Sequence, residues 1–109
     1  MIEKRDFYID GKWVAPLEGS EHKVINPSTE EPCTVISLGG AKDVDAAVAA
    51  AKAALPGWMA TAPEERIALM EKLAEVYKSR TEDMAQAIST EMGAPIEMAR
   101  SSQWGAGYS

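Results

Sequence analysis

The chain has 109 residues, with 11 Lys and Arg against 17 Asp and Glu, one His, one Cys and a formal net charge of −6. That length holds at most one compact domain, burying roughly 65% of the surface of its unfolded chain. One Cys and one His exclude a disulfide framework and a structural zinc site. The acidic balance, with a pI near 4.7, speaks against nucleic acid or an anionic membrane as partner, because phosphate neutralisation needs clustered Lys and Arg.

Apolar residues at 46% and charged residues at 26% are the values of a folded chain. Residues 1–6 are charged where a secretory signal begins its apolar run, and no stretch approaches the ~20 apolar residues of a membrane span. With one unpaired Cys, a cytoplasmic location is expected. Residues 1–40 hold four basic and seven acidic side chains and residues 41–109 hold seven and ten, so each part is net −3. The texture changes at Gly39-Gly40, from short β-like segments to Ala-rich and Glu/Lys-rich helical patterns.

Taken in order, Phe7 to Val14 reads as a β-hairpin around Asp10-Gly11, a pair that tolerates the positive φ angles of a type I′ turn. That register sets Ile9 opposite Lys12, Tyr8 opposite Trp13 and Phe7 opposite Val14, with Tyr8 and Trp13 an aromatic cross-strand pair. Residues 22–25 and 34–38 are the next strands, joined by a turn over 26–32.

A first helix is expected over 41–55, capped at Gly40, with Asp43 in its positive first turn and Pro56-Gly57 as its stop. Val44, Ala47, Val48, Ala51, Ala54 and Leu55 form its buried face. A second helix opens at the capping box Thr61-x-x-Glu64, with Ile67, Met70, Leu73, Ala74 and Tyr77 inside. Thr81 caps a third, whose stripe is Met84, Ala85, Ile88 and Met92 and whose end is Gly93 with Pro95. A fourth helical pattern begins near Ile96 and is still in progress at Ser109.

Few residues offer chemistry. Cys33 is the only thiol, but nothing at the start of its strand supplies the cation or imidazole that activates a thiolate, and it reads as a small core residue. His22 reads as a solvated strand histidine without an orienting partner. Gly105-Ala106-Gly107 lacks the preceding strand, following helix and third Gly of a dinucleotide fingerprint, and suits close helix packing or open space instead. The acidic residues fall on helix faces and in first turns. Taken residue by residue, the chain holds no recognisable active site.

Together the segments resemble the N-terminal end of the aldehyde dehydrogenase family. Phe7-Tyr8-Ile9-Asp10-Gly11-Lys12-Trp13-Val14 resembles its Phe-Ile-x-Gly-x-Trp-Val opening. Asn26-Pro27-Ser28-Thr29-Glu30 resembles its Asn-Pro-(Ser/Ala)-Thr-Gly turn, with Glu30 in place of Gly. Residues 43–51, Trp58, Glu65-Arg66 and Leu73-Ala74 follow in order and spacing. Thr90 to Pro95 resembles Glu-Thr-x-x-Gly-Lys-Pro, with Ala94 in place of Lys.

The resemblance implies an α+β fragment of an α/β aldehyde dehydrogenase-like fold. Residues 1–40 would be an N-terminal β arm with a hairpin, and residues 41–109 the antiparallel helices of an incomplete cofactor-binding domain. The parent would be an NAD(P)-dependent oxidoreductase converting an aldehyde to a carboxylic acid, working as a homo-oligomer. The family's nucleophilic Cys, general-base Glu, oxyanion-binding Asn and dinucleotide loops lie beyond the matched region, and Cys33 does not correspond to the nucleophile. The chain alone is therefore expected to hold no catalytic or cofactor-binding residue, to take no NAD or NADP, and to have the remainder of the parent chain as its partner.

Two auxiliary sites are implied. Backbone oxygens of Val24 and Ile25 with the carboxylate of Glu91 would hold Na⁺ or K⁺, as hard oxygen ligands suit. Ser102, Gln103 and Ala106 would border the aldehyde entrance tunnel. A stand-alone helical protein-interaction module is the alternative from another class.

Overall fold

A computed structural model describes residues 1–108. The chain divides into two compact units, Met1–Val24 with Pro32–Thr61, and Ile25–Glu31 with Ala62 onward. Strands come first and helices after.

The first unit begins with β1 (Ile2–Lys4), which pairs in parallel with β5 (Pro32–Leu38) and places Glu3 opposite Val35. β5 is the central strand of three, with β4 (Ser20–Ile25) on its other side. Central position explains why Thr34 and Val35 are buried on successive faces, Val35 at 1% exposure. β1 was not anticipated: its Glu and Lys hide a short parallel edge strand whose support is a partner some 30 residues away. β4 and β5 also run further than expected, β5 opening at Pro32, a position that a strand's first residue tolerates.

The hairpin β2 (Phe7–Ile9) and β3 (Lys12–Val14) has the expected register. Asp10 at φ 54° and Gly11 at φ 74° supply its turn, and the Tyr8 and Trp13 rings meet edge-on at 5.2 Å.

Helix α1 (Ala41–Ala60) starts at Gly40 as expected but runs through Pro56 instead of stopping there. Proline loses its own N–H bond and crowds the carbonyl four residues before it, but the helix continues past it and the effective stop lies further on. Ala62 precedes Pro63 and is driven to extended geometry, φ −59° and ψ 144°. The expected buried face is a second correction: Val44, Val48 and Leu55 are exposed, and the only buried residue of α1 is Asp43. The alanines Ala47, Ala50, Ala51 and Ala54 face the hairpin tip Tyr8 to Gly11 across a shallow cleft.

The second unit holds α2 (Pro63–Ser79) and α3 (Thr81–Met92), separated by Arg80. The expected capping box at Thr61 does not form, because the Thr61 hydroxyl donates to Gly57 O at 3.0 Å and the helix opens one residue later, with Ala62 as its cap and Pro63 at its first position. Thr81 likewise lies inside α3 and donates to Lys78 O at 2.6 Å. Most of the inner stripe expected of α2 is uncovered: α2 has no buried residue, and Ile67, Met70 and Leu73 are about 60% exposed, while Ala74 and Tyr77 are half-buried. The core of this unit is instead Ala85 and Ala99, both fully buried where α3 meets the segment after Pro95.

That segment is not one helix. A turn of α-helix, α4 (Ile96–Met98), passes into a π turn (Ala99–Gln103) and then a 3₁₀ turn (Trp104–Gly107). Gly93 ends α3 in the left-handed region at φ 74°, as expected of a C-terminal glycine. Ser109, on which the mid-helix expectation falls, lies outside the described residues.

Candidate functional site

The second unit brings the turn after Ile25 and the end of α3 together. A Cβ added at Gly93 would lie 2.8 Å from Pro27 Cγ, so the absence of a side chain there allows the close approach. Asn26 organises the turn: its side chain accepts the Ser28 N–H at 2.9 Å and its carbonyl the Glu30 N–H at 2.8 Å, while its own N–H reaches Glu31 O at 3.0 Å. Closure requires φ 61° at Glu30. That geometry favours glycine, which is what the family pattern carries at this place.

Glu91, exposed, sits in the last turn of α3, where carbonyls without helical partners and the negative end of the dipole favour a cation. Ile25 and Glu91 thus belong to one unit. Val24 belongs to the first unit, where its carbonyl accepts the Cys33 Sγ–H bond at 3.4 Å.

Ser102, Gln103 and Ala106 lie on the π and 3₁₀ turns. The Trp104 N–H reaches back to Ala99 O, the wide bond of a π turn, and the Tyr108 N–H goes to Gly105 O at 3.1 Å. Ser102 Oγ donates to Met98 O at 3.0 Å. Gln103 Oε1 and, on α2, Arg66 Nε are buried with no hydrogen-bond partner among the described residues. Such groups are costly to leave unpaired.

The segment is anchored twice. Arg100 forks onto Glu82 of α3 (Nη2–Oε1 2.8 Å, Nε–Oε2 2.9 Å) and also bonds Glu97 at 2.7 Å. Hydrogen bonds from Arg100, and then Gln86, hold the Glu82 carboxyl down to about 2. Further on, the Tyr77 hydroxyl donates to Trp104 O at 2.8 Å, and the two rings lie 6.2 Å apart. A Cβ at Gly107 would fall 2.8 Å from Tyr77 Cζ, so Gly107 serves close packing, whereas Gly105 faces open space.

In the first unit the Asp43 carboxylate, 6% exposed, accepts three backbone N–H groups: Leu17 at 2.7 Å, Gly40 at 3.0 Å and Glu18 at 3.1 Å. The Gly40 bond first, then those of Leu17 and Glu18, holds its carboxyl below the usual value despite burial. A Cβ at Gly40 would strike Glu18 Cβ at 2.6 Å. His22 is exposed on β4, and Cys33 is half-buried on β5.

Sequence reasoning missed Tyr77 as a bonding group, the change of helical pitch and the Arg100 fork. The Asp43–Gly40 contact alone had a local signal, an acid three residues after a helix cap. Among the described residues, no three His, Cys, Asp or Glu side chains gather as a metal-binding group, and no helix is long and apolar enough to cross a membrane.

Comparison with known proteins gives a consistent result. The profile of the aldehyde dehydrogenase family matches residues 13–107. A 3-succinoylsemialdehyde-pyridine dehydrogenase of a Pseudomonas species is 45% identical over 96 residues, which cover 88% of this chain and 20% of the relative. The crystal structure of an aldehyde dehydrogenase from Bartonella henselae superposes with a TM-score of 0.96 at 50% identity, covering 99% of this chain and 23% of the other. A variant of aldehyde dehydrogenase C from Pseudomonas syringae, solved with NAD⁺ and octanal, gives 0.87 at 49% identity over 89% of this chain and 20% of the other. The chain therefore spans about a fifth of the length of the proteins it matches.

Proposed function

The chain belongs to the aldehyde dehydrogenase family, and we propose that it is the N-terminal portion of a cytoplasmic, homo-oligomeric, NAD(P)-dependent enzyme that oxidises an aldehyde to a carboxylic acid. The observation that carries this reading is the mismatch in coverage: 88–99% of this chain matches proteins of which it spans only 20–23%. Relatives solved with NAD⁺ support the cofactor class.

Within that enzyme the segment supplies scaffold rather than reacting groups. Residues 1–40 act as the β arm and the helices as an outer part of the cofactor-binding domain. The bare stripe of α2 and the unpaired Arg66 and Gln103 atoms await cover from the remainder of the enzyme, since apolar and polar groups alike lose stability when left in that condition. Ser102, Gln103 and Ala106 border the aldehyde entrance. Ile25 O and Glu91 hold Na⁺ or K⁺; the Gly93–Pro27 approach and the position of Glu91 at a helix C-terminus suit a monovalent cation. The ion would stabilise the turn and take no part in the reaction.

The test compares two proteins. The full-length enzyme should reduce NAD⁺ or NADP⁺ with an aldehyde panel, while residues 1–109 should give no turnover. Turnover by residues 1–109, or none by the full-length protein with any aldehyde, overturns the proposal. A 109-residue chain that melts cooperatively as a monomer with a high midpoint would favour the interaction module instead.

A further inference from the structure

The pitch of the segment after Pro95 changes twice within a few residues. Regular α-helix would satisfy Trp104 N–H with Arg100 O and Trp104 O with Tyr108 N–H. Here the first goes to Ala99 and the second is displaced to Gly105. Turns of π and 3₁₀ type have poorer bonds than α-helix, and a hydrogen bond from outside the helix can offset that loss. Such a bond is visible: Tyr77, 27 residues earlier on α2, takes the Trp104 carbonyl in a 2.8 Å hydrogen bond.

We propose that Tyr77 is a positioning residue for the aldehyde entrance, its hydroxyl fixing the register in which Ser102, Gln103 and Ala106 are presented and thereby which aldehydes are admitted. The inference rests on the entrance reading of that segment.

Three observations converge on it. Gly107 leaves room for the Tyr77 ring that no other residue would, with a Cβ there falling 2.8 Å from Tyr77 Cζ. The aromatic run Tyr77, Trp104 and Tyr108, with neighbouring centroids 6.2 and 5.8 Å apart, orients the phenol toward the junction. Arg100 pins the opposite end to Glu82, so the register between the two anchors cannot slide freely. Removal of the Tyr77 bond lets the segment relax toward α-helix. A shift of one residue in an α-helix turns the downstream side chains by about 100°.

The experiment uses the full-length enzyme and two readouts, the ratio of KM for octanal to KM for acetaldehyde and deuterium exchange across residues 96–108. Tyr77→Phe should change that ratio roughly threefold to tenfold, the reach of one neutral hydrogen bond, and slow exchange at 99–107 as α-helical bonds replace the poorer π and 3₁₀ ones. Gly107→Ala should reproduce both changes, and the double variant should add little, because both substitutions break the same bond. It also carries the test if Tyr77→Phe does not fold. Equal effects on both aldehydes, or unaltered exchange, would overturn the positioning role.

Ala106→Leu separates the two levels of the argument. If it shifts the KM ratio and Tyr77→Phe does not, the positioning role fails while the entrance reading survives. If it leaves the ratio unaltered, the entrance reading fails and the role of Tyr77 fails with it.

Discussion

The two units fix their irregular backbone in opposite ways. In the first, one nearly buried carboxylate, Asp43, gathers three N–H groups from two stretches of chain. In the second, the segment after Pro95 is tied down by charged groups at the surface, Arg100 and Glu82 being 40% and 57% exposed. Charge away from water has no competing solvent and gains its full hydrogen-bond strength; charge in water is screened and replaceable. The first unit thus depends on one group, whereas the second spreads its hold over Arg100, Tyr77 and the Asn26 turn.

The comparison breaks most visibly at Asp43. Asp43→Asn puts an amide NH₂ against N–H groups on one side of the clamp. It should lower the melting temperature by roughly 5–10 °C in a thermal scan, because buried donors are left unpaired. The pH dependence has a fixed sign. A carboxyl held below its ordinary 3.8 contributes its full stability above that pH and loses it as pH falls through the depressed value. Wild type should therefore lose stability below pH about 4, relative to Asp43→Asn, in melts taken across the acid range.

A smaller effect of opposite sign is expected at Glu30. Its φ of 61° is costly for any residue with a side chain, so Glu30→Gly should stabilise the turn by about 0.5–1 kcal/mol after the entropy cost of glycine, measured by denaturant midpoint. The smallest change is expected at Glu82. Its carboxyl, held down to about 2, contributes its full stability above its ordinary 4.5 and loses it as pH falls from there toward about 2, but the pair is solvated. Glu82→Gln should shift the melting temperature by at most about 2 °C, and ~1 M salt should erase the difference. A large, salt-resistant loss there would show that surface charge holds the second unit as firmly as the buried carboxylate holds the first.

The hairpin and the end of α3 were legible because their causes lie within a few residues. Asp10-Gly11 admits positive φ and sets the register, and Gly93 terminates a helix whichever chain surrounds it. The same local logic misread Pro56 and Thr61. Pro56 was permitted inside α1, and the Thr61 hydroxyl was engaged by Gly57, since the following Ala62-Pro63 decided where the helix ended. Period placed apolar stripes on α1 and α2, yet Val44, Val48, Leu55, Ile67, Met70 and Leu73 are exposed, because period alone does not say what covers a stripe.

Family membership, element order and the tight turns were thus within reach of the sequence, which encodes steric preferences over a few residues and an ordered set of motifs. Tertiary structure alone decided the parallel pairing of β1, the bonds from Leu17 and Glu18 to Asp43 and the hold of Tyr77 on a segment 27 residues away. Each of these joins groups distant in sequence, where a polar atom's partner is chosen by the packing that brings it within hydrogen-bond reach.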